Sequence, residues 1–484
     1  MKNLSALSML AMVVAFSAAA QEATSNFTVT NTDRAKALID DAIEAHGGDA
    51  LTKDLRTLRI DSETITYSVD QSRGTTAPWD RATNRGFSAI DLENEIFVTR
   101  NEGDGGGFEF HNGAIIGGDS SAQIDYRAKT VTPLGEPDYD TRSGPFKRVT
   151  PALLLRTLQD RADNAYYLGE VETDGVTYDL IGFSMTVGPA ITLYFEKDTH
   201  LLRRSERVFA GFGLVEYRFD EYKNRSGIPF NKRFTLLLNG DTNLLRENLS
   251  VTMNASIDEM LSLPEDFAVL DELDPDPYSQ QEVASGVWHL GGNGTYSMVV
   301  DMGDHLVMVG GTGGVANALE NLPDALQEKP LKYGVLTHHH SDHVMGVAAY
   351  ESAGATVIAS SAHETIARGA ASDGEALSFT PVDNRMVLEG AGRTLELVDL
   401  GPTAHTEHLV VAYLPAEGVL FEADHFAMPR VGDVAPAVSS TRTFAAALRE
   451  SGLEPKIFLS AHSPRAGTPA DLKRAVEAAE ADSD

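Results

Sequence analysis

The sequence predicts an α+β protein of two folded domains: a mainly antiparallel β domain with a few helices, then a domain in which strands and helices alternate. Three observations lead there. The chain has 484 residues, 42% of them hydrophobic, which is too long for one compact core and supplies enough apolar material for two. From Leu55 to about Ser256, short runs alternate apolar and polar residues and break at Gly, Asp and Asn, the pattern of an antiparallel sheet. Beyond residue 281 buried-strand runs take turns with helical ones, and eleven of the fourteen histidines appear.

In chain order, MKNLSALSMLAMVVAFSAAA joins Lys2 to an apolar run from Leu4 to Phe16 and a small-residue end. That is the pattern of a secretory signal peptide over 1–20, cut near Ala20. The run is too short to span a bilayer and no second run of about eighteen apolar residues follows, so a periplasmic or secreted mature protein without a transmembrane anchor is expected. Asp33 to about His46 reads as a helix, with Thr32 as N-cap and Gly47-Gly48 as its stop. TLRIDSETITYSV, AITLYFEK and RFTLLLNG read as strands, interrupted by a helix in TPALLLRTLQDR that has Thr150 as N-cap and Pro151 at its first position. Leu263 to Gln281 is acidic, Pro-bearing and without period, which places the domain boundary there, between an N-terminal domain over 21–275 and a C-terminal one over 282–484.

In the second domain the expected strands are MVVDM, HLVMVG, KYGVLT, ATVIAS, TLELVDL, HLVVAYL, GVLFEA and KIFLSA. The expected helices are VANALENLPDAL, HETIARGA, TFAAALRE and ADLKRAVEAAE. The GGTGG run at 310–314 lacks the Lys and the spacing of a phosphate loop, and reads as a flexible loop near a site mouth. No repeat is found, and the short GDGGG of 103–107 is the one low-complexity tract.

Composition removes several functions. With no cysteine there is no disulfide, thiolate nucleophile or thiolate ligand, so any metal must be held by nitrogen and oxygen. Lys+Arg number 39 against 71 Asp+Glu, a formal charge of −32, which becomes −33 once the leader takes its single Lys away. Such a field argues against nucleic acid as a partner and otherwise serves solubility.

The chemistry concentrates in THHHSDH, Thr337 to His343, between an expected strand and an expected helix. Residues two apart on an extended segment share a side, so His338 and His340 can grip one ion while His339 points away. Asp342 and His343 fall where the chain turns into the helix and can face a second ion, roughly 3.5–4 Å from the first in two-metal sites. His405, Asp424 and His462 follow later strands, where ligand sites of layered α/β proteins gather, and Asp424 can offer one oxygen to each of two ions.

The order of these motifs, from about Glu282 to Ala479, resembles the metallo-β-lactamase superfamily. The resemblance implies an αβ/βα sandwich with two Zn2+ per chain at one edge. It implies that His338, His340 and His405 hold one zinc, that Asp342, His343 and His462 hold the other, and that Asp424 bridges them. It further implies hydrolysis of an ester, thioester, lactone or lactam carbonyl by a metal-bound hydroxide, with Asp342 orienting the nucleophile and moving a proton. The missing cysteine excludes the lactamase subclass that carries one in its second metal site. Two departures stand out: Gly310-Gly311 replaces an acidic residue common in relatives, and the residue after Asp424 is the bulky His425.

His408 and His425 flank ligand candidates and read as structural or substrate-contacting; His289, His305 and His363 read as ordinary surface or loop histidines. The N-terminal region, through KALIDDAIEAHGGDALTKDLRTLRI and LYFEKDTHLLRRSERV, resembles periplasmic lipoprotein-carrier-type curved sheets, which implies a concave face for a hydrophobic ligand. The competing reading is a shield packed on the catalytic domain. The partner expected is thus a small-molecule substrate, hydrophobic if that sheet contributes. Two alternatives stay open: a lipid or lipoprotein binding protein with an inactive metal domain, and a mononuclear iron oxygenase on the same fold.

Overall fold

A computed structural model describes residues 27–118, 121–188, 190–209, 213–272 and 276–481. The expected leader at 1–20 lies outside the described residues. The chain forms two compact units that are each discontinuous in sequence. Among the described residues, one takes those up to Thr64 with Phe87–Phe97 and Asp138–Glu259; the other takes Ile65–Gly86, Val98–Pro137 and those from Met260 onward.

The first unit is a meander. Strands Tyr166–Thr173, Val176–Ser184, Ala190–Glu196, Leu202–Phe209, Gly213–Arg225, Ile228–Leu238 and Asp241–Met253 pair antiparallel, each with the next. Alternation sets which side is buried: Ile191, Leu193 and Phe195 are covered while Thr192 and Tyr194 are less so. The helix Pro151–Asp160 buries Leu153, Leu154, Leu155 and Leu158 and has Pro at its start as expected, but Thr150 at its N-cap makes no capping bond. The first helix runs Phe27–Ala45, so Thr32 lies inside it rather than capping it. The extra turn is held by Asn31, whose amide donates to the Tyr167 carbonyl at 2.6 Å and whose oxygen accepts from Tyr167 N at 2.9 Å. A helix at Tyr139–Arg148 was not expected; Asp138 caps it by accepting from the amides of Asp140 and Thr141.

The second unit contains, besides the paired strands Phe108–Ile116, Ala122–Asp125 and Thr130–Pro133, two sheets built from residues beyond 278. One has seven strands in the order Ser279–Ala284, Val287–Gly292, Thr295–Asp301, Leu306–Val309, Leu331–Val335, Thr356–Ser360, Phe379–Val382. The other has six: Arg385–Gly390, Arg393–Asp399, Val410–Leu414, Val419–Glu422, Ile457–Ser460, Ser463–Gly467. A core of Val300, Val309, Val335, Leu397, Val410, Phe421 and Leu459 is shared by the two sheets. Helices Val315–Glu320 and Val347–Ser352 bury Val315, Ala318, Val347 and Tyr350 with the outer face of the first sheet, and helices Ser439–Ser451 and Pro469–Ala481 bury Phe444, Leu448, Leu472 and Ala475 with that of the second. The layers are therefore αβ/βα, and the central strands Leu306–Val309, Val410–Leu414 and Val419–Glu422 are buried on both faces, which is why they are nearly all apolar. Parallel pairing of Leu331–Val335 with its neighbours, and of Val419–Glu422 with Ile457–Ser460, brings strand C-terminal ends to one edge.

Candidate metal centre

That edge carries all seven candidate residues. Leu331–Val335 runs out into Thr337 and the histidines. His338 and His340 are fully buried with ring centroids 4.5 Å apart, whereas His339 packs its ring 5.2 Å from His363. The helix Ser341–Val344 presents Asp342 and His343. Asp424 follows Val419–Glu422 with φ +67°, a left-handed conformation costly for a residue with a side chain and typical of functional sites. His462 follows Ile457–Ser460.

Two overlapping donor sets result: His338, His340, His405 and Asp424, and Asp342, His343, Asp424 and His462, each with ligand atoms within 4.8 Å of one another. Around Asp424 Oδ2 lie His338 Nε2 at 3.1 Å, His343 Nε2 at 2.8 Å and His405 Nε2 at 3.1 Å, while His462 Nε2 is 2.9 Å from Oδ1. Asp342 Oδ2 is 3.3 Å from His343 Nε2.

Tautomers follow from what the other ring nitrogens touch. His405 Nδ1 donates to the Gly106 carbonyl at 2.6 Å, His462 Nδ1 to the Gly294 carbonyl at 2.9 Å and His340 Nε2 to the Ser72 carbonyl at 2.9 Å. A carbonyl only accepts, so each proton sits there, and the opposite nitrogen turns a lone pair inward. His340 Nδ1 and His338 Nε2 are buried without a hydrogen-bond partner. Lone pairs converging on two carboxylates repel unless positive charge stands among them. The residues present therefore fit a divalent cation with nitrogen and oxygen ligands, held as metal-binding histidines commonly are, with the far N–H on a carbonyl.

The electrostatics agree. Burial, reinforced by His343, holds His338 well below its ordinary value, and burial with His405 brings His340 down to about 3, so both are neutral donors. Burial opposes ionisation of Asp424, but His343, His338 and His405 hold it well below the carboxylate range; Asp342 is likewise held low by His343 and Gln71 against its own burial. His343 is itself buried, yet Asp424 and Asp342 push it up to about 10, a measure of how strongly the pair of carboxylates calls for positive charge.

A second layer positions these groups. The Thr403 hydroxyl oxygen accepts from the amides of His405 and Thr406, both at 3.1 Å. His425 Nδ1 donates to the Ala423 carbonyl at 2.6 Å, so its Nε2 accepts from the Thr403 hydroxyl at 2.9 Å, tying the His405 loop to the Asp424 strand. Glu422 is buried behind them, its carboxyl pushed up to about 7 by burial, and accepts from the amides of His425 and Phe426. His408 pairs with Asp399 at 2.8 Å.

Sequence reasoning missed one contribution altogether. Within the second unit, Ser68 to Gly74 lies against the centre. Gln71 Nε2 donates to Asp342 Oδ1 at 2.8 Å and to Ser341 Oγ at 3.0 Å, Ser341 N donates to the Asp70 carbonyl, and Glu407 N donates to the Arg73 carbonyl. Nothing in SVDQSRG announces a metal centre, because the segment supplies carbonyls and one neutral amide. The GDGGG tract held the better signal: Gly107, at φ +85°, would place a Cβ 3.1 Å from the Ala404 carbonyl beside His405.

Three expectations are corrected. His289, His305 and His363 are not surface or loop residues; they are 2%, 7% and 1% exposed. His289 bonds the Ser460 carbonyl, His305 pairs with Asp304, and His363 packs between His339 and His408, so each fills the interior with a satisfied or stacked ring. The GGTGG run is a close-packed turn, with Gly310, Gly311 and Thr312 buried. A Cβ on Gly311 would lie 2.0 Å from the His343 carbonyl oxygen, so a side chain has no room here. The expected helix after His343 breaks at Gly346, whose amide donates to the Gly311 carbonyl at 2.8 Å.

Residues 290–462 match the family model described as the metallo-beta-lactamase superfamily. The C-terminal region is a metallo-β-lactamase superfamily domain. Solved structures similar to it include a metallo-beta-lactamase from Pontibacter korlensis, 19% identical, covering 42% of this chain and 99% of its own with a TM-score of 0.33. A metallo-beta-lactamase from Hirschia baltica is 20% identical, covers 42% of this chain and 98% of its own, and has a TM-score of 0.32. The mono-zinc form of the enzyme FIM-1 from Pseudomonas aeruginosa is 21% identical over 44% of this chain and 98% of its own, with a TM-score of 0.32. A comparison with curated proteins finds no match. Among the described residues, no helix is long and apolar enough to cross a membrane.

Proposed function

We propose that this metallo-β-lactamase domain, over 282–484 with the first N-terminal domain over 21–275, is a hydrolase exported on the leader at 1–20 and loaded with two zinc ions. Its substrate class is a small molecule with an ester, thioester, lactone or lactam carbonyl. The observation that carries the reading is the pair of donor sets sharing Asp424, with imidazole lone pairs turned inward by backbone carbonyls. His338, His340 and His405 would hold one ion, Asp342, His343 and His462 the other, and Asp424 both. When bound, such ions supply Lewis acidity toward a carbonyl oxygen and bring the pKa of water down to about 7.

The chain's own residues do the rest. Thr403 and His425 hold the His405 loop, and Gln71 ties down one oxygen of Asp342 so that the other faces the centre. Asp342, whose side chain is 46% exposed, is the carboxylate placed to orient an incoming water and accept its proton. Metal analysis with a hydrolysis panel tests the proposal. Zinc near two per chain, and hydrolysis lost by at least about a hundredfold in Asp342→Asn, is the expected outcome. One iron per chain indicates the oxygenase instead. Zinc-replete protein inert toward all four substrate classes sinks the hydrolase reading.

A further inference from the structure

The first unit carries a concentration of positive charge that nothing in the metal chemistry uses. Acidic residues outnumber basic ones 71 to 39 in this chain, and most arginines of the meander are paired accordingly: Arg203 with Glu196, Arg204 with Glu216, Arg218 with Glu216, Arg233 with Glu221. Arg148, Arg207 and Arg246 are exceptions. Among the described residues none of the three has a carboxylate at ion-pair distance, although they belong to one connected group. Arg207 Nε donates to the Tyr217 phenol oxygen at 3.1 Å, and Arg148 interacts with the same phenol and feels the charge of Arg207. Tyr217 stacks on Phe234 with centroids 5.9 Å apart, and the Arg246 guanidinium lies 4.6 Å over that same ring. Arg246 Nη2 reaches the Val149 carbonyl at 3.3 Å, next to Thr150 at the start of the helix Pro151–Asp160.

The group is rich in donors that have nothing to donate to. Arg148 Nε, Arg246 Nε, Thr150 Oγ1 and Ser205 Oγ are buried without partners, Thr150 and Ser205 being 1% and 0% exposed. Ser205 faces Tyr217 directly across the strand pair. Thr150 occupies the N-cap without its hydroxyl capping; Pro151 has no N–H to offer and the Leu153 and Leu154 amides both bond the Thr150 carbonyl, so that hydroxyl is left over at the start of the helix. Guanidinium groups accept nothing, and unopposed charges brought together out of water are costly; an oxyanion answers both conditions at once. Beside it the surface is apolar. Phe209 follows Arg207 onto the same side of its strand, is 41% exposed and has the guanidinium 4.8 Å from its ring, whereas Val208 and Leu214 oppose each other on the other side.

We infer that Arg148, Arg207 and Arg246, with Tyr217, Thr150 and Ser205, form a binding site for the carboxylate or phosphate head of an amphiphile whose apolar part lies along Phe209. Calorimetric titration of the full chain with octanoate, inorganic phosphate and octylamine tests it. Octanoate should bind saturably, phosphate should compete with it more weakly, and octylamine should not bind. Arg148→Gln and Arg207→Gln should each weaken octanoate by about tenfold at an unchanged melting temperature. Thr150→Val keeps the test open should either arginine variant fold poorly. Octanoate affinity equal to that of the wild type in all three variants locates binding elsewhere, as at the metal centre, and overturns the inference. So does octylamine binding as well as octanoate, or the absence of saturable binding by either anion.

Discussion

Replacing Gln71 by Leu probes the contribution of the Ser68 to Gly74 segment to the metal centre at a residue that ligates nothing. A carboxylate can only accept, so the Gln71 amide nitrogen must face Asp342 Oδ1, at 2.8 Å, which leaves Oδ2 turned toward His343 at 3.3 Å and His462 at 3.9 Å. A hydrogen bond to a charged group contributes about 1.5–3 kcal/mol, and the 46% exposure of the Asp342 side chain puts this one at the low end, near 1.5. Since about 1.4 kcal/mol is a factor of ten, Gln71→Leu should cost about tenfold in zinc affinity. The loss should fall on the ion proposed for Asp342, His343 and His462 and spare the one proposed for His338, His340 and His405. Competition with a chromogenic chelator, which resolves two binding steps, reads the difference. Gln71→Glu, with like charges apposed, should weaken the same step further. Equal weakening of both steps together with a lower melting temperature would mean that Gln71 serves the fold alone; no weakening, or a Glu variant as tight as wild type, would refute the argument.

Other outcomes can be checked beside it. Gly311→Ala places a methyl 2.0 Å from the His343 carbonyl oxygen and 2.4 Å from Leu336, and should cost about 3 kcal/mol or more, read as a lowered denaturation midpoint with weakened zinc binding. Thr403→Val strips the acceptor from the amides of His405 and Thr406 and leaves His425 Nε2 unpaired; zinc affinity at the His405 side should fall about 10- to 100-fold, and Thr403→Ser should restore it. His46, 0% exposed, is held down to about 4 by burial and by Arg203, against its bond to the Ala42 carbonyl. Its folded pKa is depressed, so the unfolded chain binds the extra proton: its contribution is full above about pH 6.5 and is lost as pH falls toward about 4. Over that window it amounts to about 3 kcal/mol at most, and His46→Asn should flatten the corresponding part of the stability–pH curve.

Much of the metal centre was legible because its residues obey local rules. Strand alternation put His338 and His340 on one side and His339 on the other, and apolar runs marked the strands whose ends bear Asp424 and His462. Local rules failed wherever a partner was remote. His289, His305 and His363 look polar and unassigned in sequence, and only packing shows that each ring is buried against a carbonyl, a carboxylate or another ring. GGTGG has the composition of a loose loop; the close approach of the His343 backbone makes it a tight turn. Thr32 had the chemistry of a cap, but Asn31 had the better partner in Tyr167.

Composition and periodicity alone thus carried the α+β class, the layered C-terminal domain and the residues able to hold a metal, since these depend on residue type and on spacing within a few positions. Which nitrogen of each histidine faces inward was a tertiary decision. The carbonyls that settle it for His340 and His405 come from Ser72 and Gly106, 268 and 299 residues away in the chain, and a carbonyl is the one group that every residue has and no sequence advertises.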